Sequence, residues 1–296
     1  MKTIAQKLKE GQILVSDGAW GTFLQQMGLQ PGECPEQWNL THRGNVEKIA
    51  RSYIDAGADM IETNSFGGNS FKLSYFGLEH QAFEINKTAA EISRKAAGPD
   101  RNVLGSIGPT GKMIMMGDVT FEALYESFKI QAMGLAAGGA DALIVETMSD
   151  IEEAKAAVAA CKDNTNCEVI CTFTFEKSGE NDFFTMMGVS PAEMTHEMVA
   201  AGAVIIGANC GNGMENMIGI TAEIRKTNPT IPILIHANAG IPVYKDGQTC
   251  FLESPEQMAG FVDQLLAAGA GIIGGCCGTT PEHIRQIAAK VKALKK

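Results

Sequence analysis

Short apolar runs rich in β-branched residues alternate with longer amphipathic stretches from one end of the chain to the other. Eight of these runs are almost continuously apolar, which is typical of parallel strands that are buried on both faces. The predicted strands are QILVSD (12–17), DMIET (59–63), NVLGSI (102–107), DALIVE (141–146), EVICTF (168–173), VIIGAN (204–209), IPILIH (231–236) and GIIGGC (271–276).

The stretches between the strands carry signals for the start and the end of a helix. Ser149–Glu152, Ser190–Glu193 and Ser254–Gln257 each match a capping box, and the second and third also have proline at the first helical position. Thr280 and Pro281 open the last predicted helix in the same way. Glycines that can supply a left-handed helix end precede several strands, at Gly57, Gly139, Gly202 and Gly269.

Eight strand–helix units in 296 residues predict an α/β fold, a (β/α)8 TIM barrel. A doubly wound sheet is the alternative, but it would need a topological switch and usually has fewer repeats. No linker or low-complexity stretch divides the chain, so a single domain over residues 1–296 is expected. The longest irregular segment, roughly 28–41, is expected to cap the barrel mouth after the first strand.

Composition narrows the possible functions. The formal net charge is −10 and there is no basic tract, which argues against nucleic acid and anionic membranes as partners. The N-terminus lacks the apolar core of a signal peptide, and no run of about 18 apolar residues indicates a membrane span. Eight cysteines without short-loop spacing indicate reduced thiols rather than a disulfide framework, so a cytoplasmic location is expected.

Three cysteines stand where a TIM barrel forms its active site, at the carboxyl ends of strands. Cys210 follows the sixth predicted strand, and Cys276 and Cys277 end the eighth, with glycines beside them that can turn both sulfurs to one side. Three such thiols predict a zinc site whose fourth position is open to a reactant. Buried apolar thiols or a strained vicinal disulfide are the alternatives. The other cysteines are interpreted as bystanders, namely Cys34, Cys161, Cys167, Cys171 and Cys250.

Two carboxylates also end predicted strands. Asp17 precedes a glycine-bearing turn whose backbone N–H groups can hold a carboxylate, and Glu146 ends the fourth strand. Glu146 could instead cap the following helix. Together the two carboxylates suit an ammonium group, so the constellation describes an α-amino acid that carries a thiol. Glycoside hydrolysis is the alternative use of two carboxylates, but it gives the cysteines no role. Aromatic residues are also only 6% of the chain, which is few for a sugar-binding cleft.

Other polar and sulfur-bearing residues have weaker interpretations. His236 is interpreted as a hydrogen-bonded structural residue. Asn238 is a candidate for a weak oxygen ligand that leaves when the substrate arrives, and it is counted among the substrate-contacting residues. A group of methionines is interpreted as packing or loop residues that could form an apolar surface for a partner, namely Met113, Met115, Met116, Met186 and Met187.

Seven segments occur in the order found in homocysteine S-methyltransferases, and the chain resembles that family over essentially its whole length. They are DGAWGT (17–22), TNSF (63–66), GSIGPTG (105–111), ETMSD (146–150), Asn209-Cys210, NAG (238–240) and GGCCGTTPEH (274–283). The likeness is strongest to the homocysteine-binding domain of cobalamin-dependent methionine synthase, and betaine–homocysteine methyltransferase is a more distant relative.

The resemblance implies a TIM barrel with zinc on the three cysteines and with the sulfur of homocysteine in the fourth position. It further implies that the amino group lies near Asp17 and Glu146, and that the carboxylate lies on the amides around Gly21 and Thr22. The expected reaction is methyl transfer to homocysteine, which gives methionine.

The methyl donor is a separate expectation. The barrel is expected to account for all 296 residues, so no folate-binding or cobalamin-binding module is expected within them, and TMMGVS (185–190) departs from the methionine synthase pattern. The expected donor is a methyl-corrinoid (cobalamin) on a separate carrier protein, with S-methylmethionine or a methylated amine as other possibilities. A zinc/corrinoid methyltransferase that acts on another thiol or demethylates a methylated substrate is an alternative function, and a binding barrel with a structural zinc is the non-enzymatic one.

Overall fold

A computed structural model describes residues 2–179, 182–245 and 248–294. The strands are β1 (Leu14–Val15), β2 (Met60–Glu62), β3 (Asn102–Ile107), β4 (Ala142–Met148), β5 (Glu168–Phe173), β6 (Glu176–Ser178), β7 (Asp182–Phe184), β8 (Ile205–Asn209), β9 (Ile233–Ala237), β10 (Val243–Lys245), β11 (Gln248–Cys250) and β12 (Ile272–Gly275). The α-helices are α1 (Ile4–Lys9), α2 (Gly21–Gln26), α3 (Trp38–Thr41), α4 (Arg43–Asp55), α5 (Ser70–Ser74), α6 (Ala82–Ala97), α7 (Phe121–Ala137), α8 (Ile151–Asn164), α9 (Pro191–Ala201), α10 (Met214–Thr227), α11 (Pro255–Gly260), α12 (Val262–Ala268) and α13 (Pro281–Leu294).

Eight parallel strands form a nearly closed barrel in the order β1-β12-β9-β8-β5-β4-β3-β2, with helices around it. All eight predicted strands and the predicted TIM barrel are therefore confirmed. The remaining strands form two antiparallel pairs, β6 with β7 and β10 with β11, which are inserted after β5 and β9. Side-chain and backbone contacts join β1 to β2 at the closing point: Asp59 donates from its N–H to the Val15 carbonyl (2.7 Å) and accepts from the Val15 N–H (3.0 Å).

The barrel interior is apolar at one end and polar at the other. Helix α1 covers the amino-terminal end, and Ile4 and Ala5 pack there against strand residues that include Met60 and Leu104. Glu168 fixes this helix by accepting hydrogen bonds from the Ile4 and Ala5 N–H groups (2.6 and 3.1 Å). Because side chains in a strand alternate between faces, the residues two positions further along the strands also face inward, and many of these are polar. A second core lies between the barrel and its helices.

Helix ends mostly follow the predicted signals. The Ser190 and Ser254 side chains cap α9 and α11, and the capping box of α11 is complete with Gln257. The prediction of Ser149 as the cap of α8 was wrong by one residue. Asp150 is the cap, since its carboxylate accepts from the N–H groups of Glu152 and Glu153, and a carboxylate at this position is also favoured by the helix dipole.

The segment 28–41 lies at the barrel mouth, as predicted, and contains a 3-10 turn (Pro35–Gln37) and α3. Glu36 accepts a hydrogen bond from the Gly67 N–H (2.7 Å), and the Asn64 side chain donates to the Pro35 carbonyl (2.8 Å). These contacts hold the segment against the loop after β2. None of the helices in the described part of the chain has the length and apolar character needed to span a bilayer.

Candidate active site

A cavity of about 280 Å³ opens at the carboxyl ends of the barrel strands, and we call it the thiol cavity. It is lined by Gly18, Ala19, Trp20, Gly21, Thr22, Leu24, Pro35, Glu36, Glu62, Thr63, Asn64, Ser65, Phe66, Ser106, Glu146, Thr147, Cys210, His236, Gly275, Cys276 and Cys277. Most of the predicted site residues thus share one enclosure of a size suited to a small metabolite. Asp17 and Asn238 are buried next to lining residues but are not themselves part of the lining.

The three predicted thiols converge in this cavity. The sulfur atoms of Cys210, Cys276 and Cys277 all lie within 4.8 Å of one another, and those of Cys210 and Cys277 are 3.9 Å apart. The backbone ties the two strand ends together, because the Cys276 N–H donates to the Ala237 carbonyl (2.7 Å) and the Cys210 N–H donates to the His236 carbonyl (3.0 Å). Among the residues that the structure describes, this is the one cluster of three potential metal ligands.

The thiols differ in acidity. Hydrogen bonds from the Cys276 and Cys277 thiols lower the pKa of Cys210 to about 3. Hydrogen bonding to Cys210 raises the pKa of Cys277 to about 12 and that of Cys276 well above its usual range. Of the three sulfurs, that of Cys210 therefore carries the negative charge first. The predicted bystanders differ, since burial raises the pKa of both Cys161 and Cys171, as expected for inert core thiols.

Two residues at the site have a left-handed backbone. Thr147 (φ 59°) and Cys210 (φ 58°) are the positive-φ residues other than glycine in the described parts of the chain. The Asn209 side chain links the two positions: its Oδ1 accepts from the Thr147 N–H (2.7 Å), and its Nδ2 donates to the Thr147 hydroxyl (2.6 Å). A β-branched residue in this region is a genuine outlier, and such strain is concentrated at functional sites.

Glu146 points into the cavity rather than toward the following helix. The Ser106 hydroxyl donates to Oε1, and the Asn209 Nδ2 donates to Oε2 at 3.3 Å. The alternative in which Glu146 caps α8 is excluded, because Asp150 has that role. Burial raises the pKa of Glu146 well above its usual range, and the neighbouring Glu62 raises it further.

Asp17 is buried and already well supplied with donors. Its Oδ2 accepts from the Trp20 indole (2.8 Å) and from the Glu62 N–H (3.0 Å), and its Oδ1 accepts from the Ser16 hydroxyl (3.1 Å). Gly21 and Thr22, which begin α2, line the cavity. The first N–H groups of a helix have no partner within the helix, so these amides are suited to an anionic group of a ligand.

His236 and Glu62 face each other at the inner end of the cavity. His236 Nδ1 lies 3.3 Å from Glu62 Oε1, without the geometry of a hydrogen bond, and His236 Nε2 has no hydrogen-bond partner among the described residues. Burial lowers the pKa of His236 and raises that of Glu62 well above its usual range. Both groups are thereby driven toward their neutral forms, so the contact is not an ordinary salt bridge.

Asn238 lies beside the thiols. Its side chain donates a hydrogen bond to the Cys210 sulfur, while its Oδ1 is buried without a donor among the described residues. An orphaned amide oxygen beside a thiolate is consistent with a weak ligand position, as the sequence suggested.

The predicted methionines divide into two groups. Met115, Met116 and Met186 are each 72% exposed, so they form surface rather than core. Met113 and Met187 are half-buried, and Met187 packs against the core. These three exposed methionines belong to loops that follow barrel strands, at the end of the molecule that carries the site.

The family model for homocysteine S-methyltransferases matches residues 14–291. The chain belongs to the homocysteine S-methyltransferase family. The predicted family resemblance and the predicted enzyme class, a methyltransferase of this type, are thereby confirmed.

Two curated relatives are methionine synthases from mycobacteria. The protein from Mycobacterium tuberculosis (strain ATCC 25618 / H37Rv) is 33% identical over 96% of this chain, and that from Mycobacterium leprae (strain TN) is 32% identical over 98%. The chain spans only 25% of the length of either relative.

Solved structures of a homocysteine methyltransferase have the same fold. The metallated form of MmuM from Escherichia coli superposes with a TM-score of 0.78 at 23% identity, covering 96% of this chain and 98% of that chain. The oxidized form gives a TM-score of 0.78 at 24% identity, covering 98% and 100% respectively. These likenesses show that this family member shares the complete MmuM barrel.

Sequence reasoning missed Glu62 and underestimated Asn209. Glu62 follows Met60 by two residues, and Met60 faces the barrel interior, so strand alternation places Glu62 inside as well. That signal was present in the sequence. The sequence singled out Asn209 only as part of the Asn209-Cys210 segment; its partners, Thr147 and Glu146, come from β4, which is distant in sequence.

The raised pKa of Glu62 makes stability depend on pH. A protonated carboxyl stabilises the fold fully below the ordinary glutamate pKa of about 4.3, and that contribution is lost as the pH rises through the raised pKa of the folded protein. We therefore expect the Glu62→Gln protein, without ligand, to match the wild type near pH 4 and to exceed it at pH 8 by about 1 kcal/mol in unfolding free energy. Urea denaturation at both pH values measures the difference. Equal stability at pH 8 would mean that an ionised Glu62 is fully compensated.

Proposed function

We propose that this chain is a zinc-dependent S-methyltransferase that activates the thiol of homocysteine for methyl transfer, with methionine as the product. The observation that carries the proposal is the convergence of Cys210, Cys276 and Cys277 in a cavity that also holds Glu146. The family supports homocysteine as the methyl acceptor. Because the acceptor must remain a thiol, a reducing compartment such as the cytoplasm is the proposed location.

The cysteine cluster fits zinc on two counts. Zinc–sulfur bonds of about 2.3 Å in a tetrahedron place the sulfurs about 3.8 Å apart, and the Cys210 and Cys277 sulfurs are 3.9 Å apart. A set of three thiolates favours zinc over harder cations. Cys210, Cys276 and Cys277 would hold the ion, and Asn238 would offer its orphaned oxygen until a thiol replaced it.

When bound, zinc would supply the Lewis acidity that keeps a coordinated thiol deprotonated at neutral pH. The residues of the chain provide the rest. Three cysteine thiolates around the ion would leave an excess of negative charge, which would keep the coordinated substrate sulfur electron-rich and therefore nucleophilic. The side chains of Trp20 and Phe66 form part of the cavity wall, which would limit the access of water to that sulfur.

Recognition of the amino acid would use the carboxylates and backbone amides at the same cavity. Glu146 would accept hydrogen bonds from the substrate ammonium, supported by Ser106 and Asn209. Asp17 would act beside it, with an orientation set by Trp20. The amides of Gly21 and Thr22 would receive the substrate carboxylate. Contacts with both ends of the amino acid would hold its sulfur for in-line attack on a methyl group, so positioning contributes to the rate.

We propose a methyl-corrinoid, carried by a separate protein or domain, as the donor. Exposed Met115, Met116 and Met186 belong to the same end of the barrel as the cavity, together with the exposed Ile241 and Tyr244. Flexible methionines on an exposed apolar surface suit a large partner. The mycobacterial relatives are called methionine synthases, and their greater length leaves room for further domains.

Two other functions use the same cavity differently. A methyltransferase of the same fold could act on another thiol or remove a methyl group from a methylated substrate. Such an enzyme would not need both Glu146 and Asp17. A binding barrel with a structural zinc would need a closed fourth ligand. The open cavity beside the cysteines favours the catalytic function.

The metal site is tested by substitution. We expect the Cys276→Ser protein to lose most of its zinc and its affinity for homocysteine while it retains the fold, because two thiolates and a hydroxyl are a poor zinc site. Metal analysis, circular dichroism and isothermal titration with homocysteine measure the three properties. The matched control is Cys167→Ser. Cys167 is half-buried outside the thiol cavity, and its thiol donates to the Ala140 carbonyl. The zinc content of this variant should therefore stay near one per chain. Full zinc retention in the Cys276→Ser protein would refute the assignment.

Glu146 is tested by ligand choice. Replacing it with glutamine removes the charge that an ammonium group would meet, so homocysteine affinity should fall about tenfold or more. The affinity for 4-sulfanylbutanoic acid, the same thiol without the amino group, should change little. Titration of both ligands into the zinc-loaded variant decides the point. Equal loss for the two thiols would assign Glu146 a purely structural role.

The donor is tested by methionine formation. Methylcobalamin, S-methylmethionine and betaine are each supplied with homocysteine, with and without zinc. We expect zinc-dependent product from methylcobalamin, because the apolar loops around the cavity suit a large donor. Rapid turnover with S-methylmethionine or betaine, and none with methylcobalamin, would contradict the corrinoid proposal and leave the acceptor site intact.

A further inference from the structure

We infer that Glu62 is a substrate-binding residue that, together with Glu146, holds the ammonium group of the amino-acid thiol. The inference rests on the proposed function, since it adds Glu62 to the residues that recognise the amino group of the same substrate. Both glutamates line the thiol cavity at the ends of barrel strands.

The backbone of Glu62 is fixed on both sides, which directs its side chain inward. Its N–H donates to Asp17 Oδ2 (3.0 Å), and its carbonyl accepts from the Ser93 hydroxyl (2.9 Å). Met60, two residues earlier, is part of the inner apolar layer. Alternation along β2 therefore carries the Glu62 carboxyl into the polar end of the barrel.

The Glu62 carboxyl has an unmet need for a donor. The residue is only 8% exposed, yet Oε1 has no hydrogen-bond partner among the described residues. Asp17 differs, because both of its oxygens accept hydrogen bonds from the protein. A buried acceptor without a donor destabilises the protein, so a ligand that brings N–H groups to this oxygen gains affinity.

The protein offers no cation to meet this need. The groups that face Glu62 are Asp17 at the end of β1, Glu146 at the end of β4 and His236 on β9. Burial lowers the pKa of His236, so that imidazole is not a standing positive charge. The described lining of the cavity contains neither lysine nor arginine. Acidic groups that converge without a protein cation are matched by a cationic ligand, and a primary ammonium has three donors to share between Glu62 and Glu146.

The test compares two thiols that differ only in the amino group. Homocysteine and 4-sulfanylbutanoic acid are titrated calorimetrically into the zinc-loaded wild type and the Glu62→Gln protein. The wild type should prefer homocysteine, and Glu62→Gln should reduce that preference about tenfold, with little change for the deamino thiol. Glu62→Asp keeps the charge and should retain part of the preference. Glu153→Gln is the control: Glu153 is a buried glutamate bound to Thr110, outside the cavity, and its replacement should leave the preference unchanged.

The outcomes separate this inference from the proposed function. A wild type that prefers homocysteine, with the same preference in Glu62→Gln, would overturn the role of Glu62 and leave the proposed function standing. Equal loss of both thiols would overturn it as well, since that pattern reports only on the shape of the cavity. A wild type that does not discriminate between the two thiols would overturn both.

Discussion

The site depends on supplying hydrogen-bond partners to polar side chains inside the barrel. TIM-barrel interiors are usually filled by branched apolar residues, and the amino-terminal half of this interior follows that rule. In the other half, the Asn209 amide accepts from Thr172 (2.7 Å) and donates to Glu146 and Thr147. A buried polar group without a partner costs about 1–3 kcal/mol. One amide thus fixes the Glu146 carboxylate and the left-handed backbone of Thr147, the next residue of the same strand.

The same amide explains how a thiol at the end of β8 joins the site. Asn209 faces the interior, so in a regular strand the next residue, Cys210, would face outward. The left-handed backbone of Cys210 breaks this alternation and brings its sulfur to within 3.9 Å of the Cys277 sulfur. A non-glycine residue in that conformation costs about 1 kcal/mol or more. The hydrogen bonds of Asn209 offset that cost. The positions of the thiols therefore depend on a residue that is not itself a candidate metal ligand.

The sequence predicted the barrel well, because continuous apolar runs are a local signal and each of the eight runs became a strand. It also indicated the three cysteines, since each ends or follows such a run beside glycine. The misses have non-local causes. The cap of α8 lies at Asp150 because two adjacent residues can both cap a helix, and tertiary context chooses between them. Glu62 was missed because its importance depends on what faces it across the barrel, and His236 comes from β9.

Under the proposed function, the protonation states of the buried carboxyls give the cavity its selectivity for an amino-acid thiol. Burial raises the pKa values of Glu62 and Glu146, so these carboxyls resist ionisation while nothing cationic is present. A thiol without an amino group leaves them neutral and gains nothing from them. An amino-acid thiol brings an ammonium that lowers the cost of ionising them, and the resulting charge pairs lie where water is scarce and Coulomb attraction is strong. Burial of these carboxyls lowers the stability of the free protein, and the same burial would strengthen their recognition of the amino group. Such a trade-off between stability and function is common.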